Sequence, residues 1–131
     1  MEQTTKKILV IDDDNNLRTV LCDKLNLSGF EATGAENGEV GLTLADKLHP
    51  DVILLDLLMP KVNGWQFLDE LRKNAWGRTA KVILLTALES KEFVAKAMEV
   101  GAYGYLVKTD WDLDQVVTQV QEAIKGNKLN S

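Results

Sequence analysis

Residues 51–64 read DVILLDLLMPKVNG, and this stretch decides the fold. Its first part, Val52 to Leu57, is apolar throughout except for Asp56. A strand with one exposed face alternates apolar and polar residues, whereas a continuous apolar run is typical of a strand buried on both faces, as in parallel sheets. Gly64 then precedes a segment whose apolar residues have helical spacing. The stretch therefore predicts a central parallel strand that leads into a helix.

Further runs of the same kind lie at Ile8 to Ile11, Val82 to Leu85 and Tyr105 to Val107. A shorter segment, Phe30 to Ala35, is predicted as the second strand from its position between two helices, although Gly34 interrupts it. The segments between strands carry apolar stripes at helical spacing. These stripes are Leu17, Val20, Leu21 and Leu25; Val40, Leu44, Ala45 and Leu48; Phe67, Leu68 and Leu71; Phe93, Val94, Ala97 and Met98; and Leu113, Val116, Val117, Val120 and Ile124. Five strands thus alternate with five helices, which predicts a parallel sheet with helices on both faces and right-handed crossovers.

The composition is that of one globular domain. Of 131 residues, 45% are hydrophobic and 27% are charged, which predicts a single domain over residues 1–131 with short flexible ends. The formal net charge of −5 argues against a nucleic-acid-binding surface, because such a surface needs clustered Lys and Arg. The apolar stretch near the N-terminus stops at Asp12, too soon for a signal peptide, and no segment is apolar enough to span a membrane. We therefore expect a cytoplasmic protein.

Single cysteine and histidine residues exclude several kinds of site. Cys22 is the only cysteine and His49 the only histidine, so an intrachain disulfide, a CxxC pair and a histidine-based metal cluster are all impossible. We interpret Cys22 as a small buried residue on a helix and His49 as a structural or exposed residue.

Polar residues follow the predicted strands at their carboxyl ends. They are Asp12, Asp13 and Asp14 after the first strand, Asp56 in the third, Thr86 after the fourth and Lys108 after the fifth. In a parallel sheet these ends meet at one edge, where the functional crevice of such folds lies. Carboxylates that converge there repel one another unless a cation shares the site. Oxygen ligands without His or Cys suit Mg²⁺, with Mn²⁺ as a substitute.

The remaining polar groups suit phosphoryl chemistry. A metal, the Lys108 ammonium and the Thr86 hydroxyl, placed around a carboxylate, can neutralise the oxygens of a transferring phosphoryl group. Asp56 is then the nucleophile and forms an acyl phosphate. Each of these residues taken alone is more often structural, and Asp14 is better explained as the cap of a helix N-terminus. The coincidence of four strand ends favours the catalytic interpretation.

Four segments carry a family resemblance: ILVIDDDNNLR (8–18), DVILLDLLMPKVNG (51–64), VILLTA (82–87) and GAYGYLVK (101–108). Over residues 7 to about 125 they resemble the signature segments of response-regulator receiver domains, including single-domain regulators of the chemotaxis type. The D-x-x-M-P-x-x-x-G spacing is matched by Asp56, Met59, Pro60 and Gly64. Together with the alternation of elements, the resemblance implies a flavodoxin-like, doubly wound α/β fold. We expect its five-stranded parallel sheet to have the order 2-1-3-4-5 and to lie between five helices in a three-layer sandwich.

The resemblance implies a phosphorylation-dependent signalling switch of a two-component, His-to-Asp phosphorelay. It implies that Asp56 is the phosphoacceptor and that Asp13 binds Mg²⁺ directly, with Asp12 binding directly or through water. It also implies that the backbone carbonyl of Leu58 completes the protein ligands. Such a chain catalyses its own phosphorylation and dephosphorylation rather than turning over a separate substrate.

The resemblance also implies a switch and its partners. Thr86 and Lys108 would contact the phosphoryl group, and Tyr105 would be the aromatic residue whose position follows Thr86. The phosphoryl donor would be a sensor histidine kinase or a histidine phosphotransfer protein. An output partner would bind the face formed by the fourth helix, fifth strand and fifth helix, with no direct contact to nucleic acid or membrane.

Some residues differ from the family pattern or lie at positions where the family varies, and they lead to two further predictions. Thr109 follows Lys108 where the family usually has Pro. We therefore predict a trans Lys108–Thr109 peptide, because a cis bond before a non-proline residue costs about 2.5–4 kcal/mol. Leu58 and Leu88 occupy positions that vary in the family and influence how water reaches the acyl phosphate, and both are apolar here. We predict slow loss of the phosphate.

Two alternatives remain at the level of sequence. A haloacid-dehalogenase-like phosphatase also uses an Asp nucleophile and Mg²⁺, but Asp56-Leu57-Leu58 lacks the second Asp that would act as its acid. A binding-only relative with a fixed surface is disfavoured because every chemical residue is present. The sequence is compatible with a free-standing shuttle, with a phosphate sink and with one domain of a longer regulator.

Overall fold

The computed structural model describes residues 5–57, 64–86, 95–96, 98–99, 101–107 and 112–126. Its elements in chain order are β1 (Lys7–Ile11), α1 (Asn15–Leu27), β2 (Glu31–Ala35), α2 (Gly38–Leu48), β3 (Val52–Asp56), α3 (Gly64–Lys73), a 3₁₀ turn (Trp76–Arg78), β4 (Lys81–Thr86), β5 (Gly104–Val107) and α4 (Leu113–Lys125). The last predicted helix is therefore α4. Within the fourth predicted helix, residues 95–96 and 98–99 are helical. Phe93, Val94 and Ala97 of its stripe lie outside the described residues.

The five strands form one parallel sheet in the predicted order, β2-β1-β3-β4-β5. Its register pairs Ile11 with Ala35 and Leu55, Asp56 with Leu85, and Thr86 with Val107. Because all strands run in the same direction, their last residues lie at one edge. We call this edge, formed by the ends of β1, β3, β4 and β5, the carboxyl edge of the sheet.

Apolar layers cover both faces of the sheet. One layer joins strand residues to α2 and α3: Leu9, Ile11, Ile53, Leu55, Val82 and Leu84 pack with Ala45, Phe67, Leu68 and Leu71. The other joins the alternate strand residues to α1 and α4: Ile8, Val10, Val52, Leu54, Ile83 and Leu85 pack with Leu21, Leu25, Val116 and Val120. Full burial of each such Leu, Ile, Val or Phe side chain stabilises by about 1.5–3 kcal/mol. Burial on two faces is why the central strands are continuously apolar.

The edge position of β2 explains its weak sequence signal. Only Ala35 of its five residues is buried, and the other four are exposed or half-buried. An edge strand pairs on one side only, so it does not need an apolar residue at every position. Position in the sequence, rather than composition, correctly predicted this strand.

The helices pack through narrower stripes than the sequence predicted. Leu21 and Leu25 of α1 are buried, but Val20 is 44% exposed, and Val40 on α2 is 36% exposed. The buried residues of α2 are small, namely Gly38, Gly41 and Ala45. A Cβ at Gly41 would lie 2.6 Å from Ile11 Cδ1, so α2 approaches β1 too closely to leave free space for a side chain at position 41.

Local side chains define where the helices begin. The Asp14 carboxylate accepts a hydrogen bond from the Leu17 amide at 3.1 Å, which confirms its predicted role as the cap of α1. Asn37 caps α2 in the same way through Val40 at 2.9 Å. Such caps contribute about 0.5–2 kcal/mol each.

Within the described ranges, no helix has the length and apolar character needed to cross a bilayer.

His49 and Cys22 have structural surroundings. His49 is exposed, has a φ of 45° at the end of α2, and stacks on Trp76 with ring centroids 4.4 Å apart. Cys22 is half-buried rather than fully buried, and packs against the layer between the sheet and α1. Burial raises the pKa of the Cys22 thiol, which keeps it protonated at neutral pH.

Arg72 ties α3 to the segments that precede β4 and β5. Its Nη1 donates hydrogen bonds to the carbonyls of Gly77 at 2.6 Å and Ala80 at 2.8 Å, and its Nη2 donates to the Gly101 carbonyl at 2.8 Å. Burial lowers the pKa of the Arg72 guanidinium. Since an arginine remains charged at neutral pH, these bonds are charge-assisted and hold the entrance to β5 in place.

Candidate metal and phosphoryl site

The turn after β1 places two of the predicted acids. The Asp12 amide donates to the Ala35 carbonyl of β2 at 3.1 Å, and Asp12 Oδ1 accepts from the Asp14 amide at 2.9 Å. These bonds set the path of the chain between β1 and α1. They leave Asp12 fully buried and the neighbouring Asp13 exposed.

Asp56 ends the central strand β3 and completes a cluster of three carboxylates. It is only 4% exposed. One carboxylate oxygen each from Asp12, Asp13 and Asp56 lie within 4.8 Å of one another. Three negative charges at this separation repel strongly unless a cation is present. The donor set is oxygen only, so it fits a hard divalent cation such as Mg²⁺. In the described part of the chain, no second group of three such ligands occurs.

The close contact between Gly64 and the end of β3 explains why a glycine is needed at this position after Asp56. Its amide donates to the Leu57 carbonyl at 3.2 Å, so the first turn of α3 lies directly against the end of β3. A Cβ at Gly64 would lie 2.7 Å from Leu57 Cα and 3.1 Å from the Asp56 carbonyl oxygen. Backbone cannot give way as a flexible side chain can, so this approach requires the absence of a side chain.

The other predicted site residues are only partly described. Thr86 ends β4 at the carboxyl edge, opposite Val107 of β5, and the described part of Thr86 is its backbone. Tyr105 of β5 is half-buried and packs against the layer that contains α2 and α3. Leu58, Leu88, Lys108 and the Lys108–Thr109 peptide lie outside the described residues. Their predicted roles remain predictions.

Sequence reasoning missed Arg18. Its Nη1 donates to the backbone carbonyl of Asp12 at 2.8 Å, and its Nη2 donates to Asn15 Oδ1. The side chain reaches this position across Gly34 of β2, where a Cβ would lie 3.0 Å from Arg18 Cδ. The glycine that interrupts β2 was the available signal, because an isolated glycine in a strand often marks a close approach.

We predict that Mg²⁺ stabilises the chain and that Asp13→Asn reduces this effect. Free Mg²⁺ at about ten times Kd should add about 1.4 kcal/mol to the free energy of unfolding. Asp13→Asn removes one of the clustered charges, so its metal-free melting temperature should rise above that of the wild type. Thermal melts with and without Mg²⁺ measure both effects. A mutant with the full wild-type magnesium response would remove Asp13 from the cation site.

Comparison with known families agrees with this geometry. The family model described as the response regulator receiver domain matches residues 8–121. The chain belongs to this family. As a receiver domain of two-component response regulators, it is a member of a class of phosphoacceptor switches that bind Mg²⁺ at an acidic pocket. This agrees with the three clustered acids and gives no support to the phosphatase alternative.

Relatives of this receiver domain are longer proteins. Regulatory protein AtoC of Escherichia coli K12 is 38% identical over 119 residues, which are 91% of this chain and 25% of that protein. The probable transcriptional regulator ycf27 of Cyanophora paradoxa is 39% identical over 108 residues, 82% of this chain and 44% of that protein. The chain thus spans between a quarter and a half of the length of these relatives.

Solved structures share the fold over nearly the whole receiver domain. The chemotaxis protein CheY4 of Vibrio cholerae has a TM-score of 0.85 at 28% identity, covering 91% of this chain and 98% of that one. The receiver domain of the Francisella response regulator 1452 also has a TM-score of 0.85, at 31% identity, covering 93% of this chain and 98% of that one. The predicted flavodoxin-like fold is confirmed.

Proposed function

We propose that this chain accepts a phosphoryl group on Asp56 from a phosphohistidine donor, with Mg²⁺, and then changes its partner-binding surface. The observation that carries the proposal is the cluster of Asp12, Asp13 and Asp56 at the carboxyl edge of the sheet. Two of its three carboxylates, those of Asp12 and Asp56, are buried at the ends of adjacent strands, where water cannot offset their negative charges. A single domain over residues 1–131 and a cytoplasmic location are part of the same proposal.

The acids have separate tasks in this proposal. Asp13 and Asp56 hold the cation, with Asp12 assisting and the Leu58 carbonyl completing the protein ligands. Mg²⁺ supplies positive charge against the oxygens of the phosphoryl group, and Mn²⁺ is an alternative of similar ligand preference. Because Asp56 is almost wholly buried at the end of a rigid strand, its carboxylate is held in a fixed position for attack.

Transfer is a displacement at phosphorus. A carboxylate oxygen of Asp56 forms the new O–P bond while the N–P bond of the phosphohistidine breaks, and that electron pair returns to the imidazole nitrogen. Thr86 and Lys108 follow or end adjacent strands at the same edge, and their hydroxyl and ammonium groups would contact the phosphoryl oxygens. The donor is a sensor histidine kinase or a histidine phosphotransfer protein.

The output is a change of surface. The phosphoryl group adds charge and acceptor oxygens at Asp56, which favours a state in which Thr86 and Lys108 move toward it. Tyr105, half-buried on β5, would then turn inward as Thr86 moves. The partner surface is formed by the fourth predicted helix, β5 and α4. With a net charge of −5, the chain suits a protein partner better than nucleic acid.

Phosphorylation of the purified chain tests this function. With acetyl phosphate, or with a phosphorylated histidine phosphotransfer protein, the chain should gain one phosphoryl group only when Mg²⁺ is present. Borohydride trapping and peptide mass spectrometry should place the label on Asp56. A dominant label on Asp12 or Asp13, or labelling that is unaffected by chelation of Mg²⁺, would refute the mechanism.

The phosphate should persist longer than in variants with polar residues beside the site. Leu58 and Leu88 offer no group that could orient an attacking water, so Leu58→Asn and Leu88→Glu should each speed phosphate loss. One such hydrogen bond is worth about 1 kcal/mol, and 1.4 kcal/mol corresponds to about tenfold in rate. Decay of the phosphorylated form in Mg²⁺ measures this for both variants and for their combination. Equal lifetimes in folded, phosphorylated variants would show that water access at these positions does not set the lifetime.

A further inference from the structure

We propose that Arg18 is a positioning residue for the cation site. It holds the backbone carbonyl of Asp12, and through it the turn that carries the Asp12 and Asp13 carboxylates. This inference rests on the proposed function, because it assigns Arg18 a role in the same metal-dependent site. The residue touches neither the cation nor the phosphoryl group in this proposal.

The contacts of Arg18 converge on the turn after β1. Its Nη1 donates to the Asp12 carbonyl at 2.8 Å, and its Nη2 donates to Asn15 Oδ1 at the start of α1. The Arg18 amide donates to the Asp14 carbonyl at 2.9 Å. The last of these is the backbone bond of the first turn of α1, which any residue at this position would make. The Arg18 side chain itself therefore holds the turn at two points, the Asp12 carbonyl and the Asn15 side chain. Rigid support of this kind sets ligand orientation in metal sites.

β2 is shaped to admit this side chain. The Arg18 side chain crosses Gly34, where an added Cβ would lie 3.0 Å from both its Cγ and its Cδ. The neighbouring residue of β2, Ala35, accepts the hydrogen bond from the Asp12 amide at 3.1 Å. The amide of Asp12 is thus held by β2 and its carbonyl by Arg18, so the peptide groups on both sides of this residue are anchored.

An electrostatic role and a positioning role of Arg18 predict opposite changes in Mg²⁺ affinity when Arg18 is replaced. A guanidinium near the acids repels a divalent cation, so a purely electrostatic role predicts that Arg18→Met binds Mg²⁺ more tightly. Loss of positioning predicts weaker binding despite the lost positive charge. Arg18→Lys keeps the positive charge, but its single ammonium group cannot replace the planar guanidinium that bonds the Asp12 carbonyl and Asn15 together. Only a positioning role therefore predicts weaker Mg²⁺ binding in this variant.

Magnesium titration of the chain without a phosphodonor tests the proposal. Arg18→Met should weaken Mg²⁺ binding about tenfold, the lower end of what loss of supporting contacts costs in metal sites, and Arg18→Lys should fall between it and the wild type. In the metal-free protein, Arg18→Met should also speed hydrogen exchange at the Asp12 amide. The matched control is Arg78→Met, because Arg78 is exposed and precedes β4 at the opposite edge of the sheet. It should bind Mg²⁺ as the wild type does.

Gly34→Ala is an independent second variant. Its methyl group would lie 3.0 Å from Cγ and Cδ of Arg18 and push this side chain aside by a few tenths of an ångström. Mg²⁺ binding should therefore weaken in the wild-type background and not weaken further in the Arg18→Met background. A folded Arg18→Met that binds Mg²⁺ as tightly as the wild type, or more tightly, would overturn the proposal. An equal effect of Gly34→Ala in both backgrounds would also overturn it. If Arg18→Met does not fold, Gly34→Ala decides through Mg²⁺ affinity and Asp12 amide exchange.

The proposed function and this inference fail in different ways. A wild-type chain that binds Mg²⁺ but takes no phosphate on Asp56 refutes the function and leaves the role of Arg18 standing. Normal Mg²⁺ affinity in folded Arg18→Met, with normal labelling of Asp56 in the wild type, refutes only the role of Arg18.

Discussion

Asp56→Asn should abolish phosphorylation of the chain and leave its fold intact. An amide has no negative oxygen to attack phosphorus, so labelling by acetyl phosphate should fall below detection. Asn matches Asp in shape, and the change removes one of three clustered negative charges beside the buried end of β3. The metal-free melting temperature should therefore stay equal to that of the wild type or rise. Intact-protein mass after incubation with the phosphodonor and Mg²⁺ measures the labelling.

Asp14→Asn is the matched control for this experiment. Asp14 adjoins the cluster in sequence but caps α1 through the Leu17 amide, and Asn is an equally good capping residue. This variant should label at the wild-type rate. Labelling of Asp56→Asn at the wild-type rate would show that another residue accepts the phosphate. Loss of labelling in both variants would indicate a general effect of charge near the turn, rather than loss of the nucleophile.

Gly64→Ala should both destabilise the chain and slow its phosphorylation. The new Cβ would lie 2.7 Å from Leu57 Cα and 3.1 Å from the Asp56 carbonyl oxygen, so the start of α3 and the end of β3 must move apart. Overpacking of this kind costs about 1–3 kcal/mol. The displaced backbone carries Asp56, so the rate of labelling should fall about tenfold or more, since small misplacements of reacting groups are costly. Chemical denaturation and the initial rate of labelling measure the two effects.

Gly29→Ala separates loss of stability from damage to the site. Gly29 has a φ of 98°, which is strained for alanine, but a Cβ there would meet no atom within 4 Å. It follows α1 and precedes β2, at the sheet edge opposite Asp56. This variant should lose stability and keep the wild-type rate of labelling. If Gly64→Ala labels as fast as Gly29→Ala at matched fractions of folded protein, the contact of Gly64 with β3 does not position Asp56.

Much of the carboxylate cluster was predictable because the meeting of its three acids depends on strand direction. The apolar runs Ile8 to Ile11 and Val52 to Leu57, the second interrupted only by Asp56, indicate burial on two faces, and such strands are parallel in α/β folds. Once they are parallel, the acids that follow or end them must meet at one edge. The structure confirms this for Asp12, Asp13 and Asp56. For Thr86 and Lys108 the same argument still stands as a prediction about their side chains.

What the sequence by itself determined is therefore the parallel sheet and the convergence of three acids, which follow from patterns local to each strand, and the strand order, which follows from the family resemblance. Only the tertiary structure decided how that site is supported. Arg18 lies on α1, its side chain crosses Gly34 of β2, and its guanidinium reaches the Asp12 carbonyl, an arrangement that depends on how α1 packs across the edge strand. In the same way, the Arg72 side chain donates a hydrogen bond to the carbonyl of Gly101, a residue distant from it in the sequence. Such contacts are made by long side chains whose direction is set by packing, so the sequence can mark a close approach, as Gly34 does, without showing which side chain fills it.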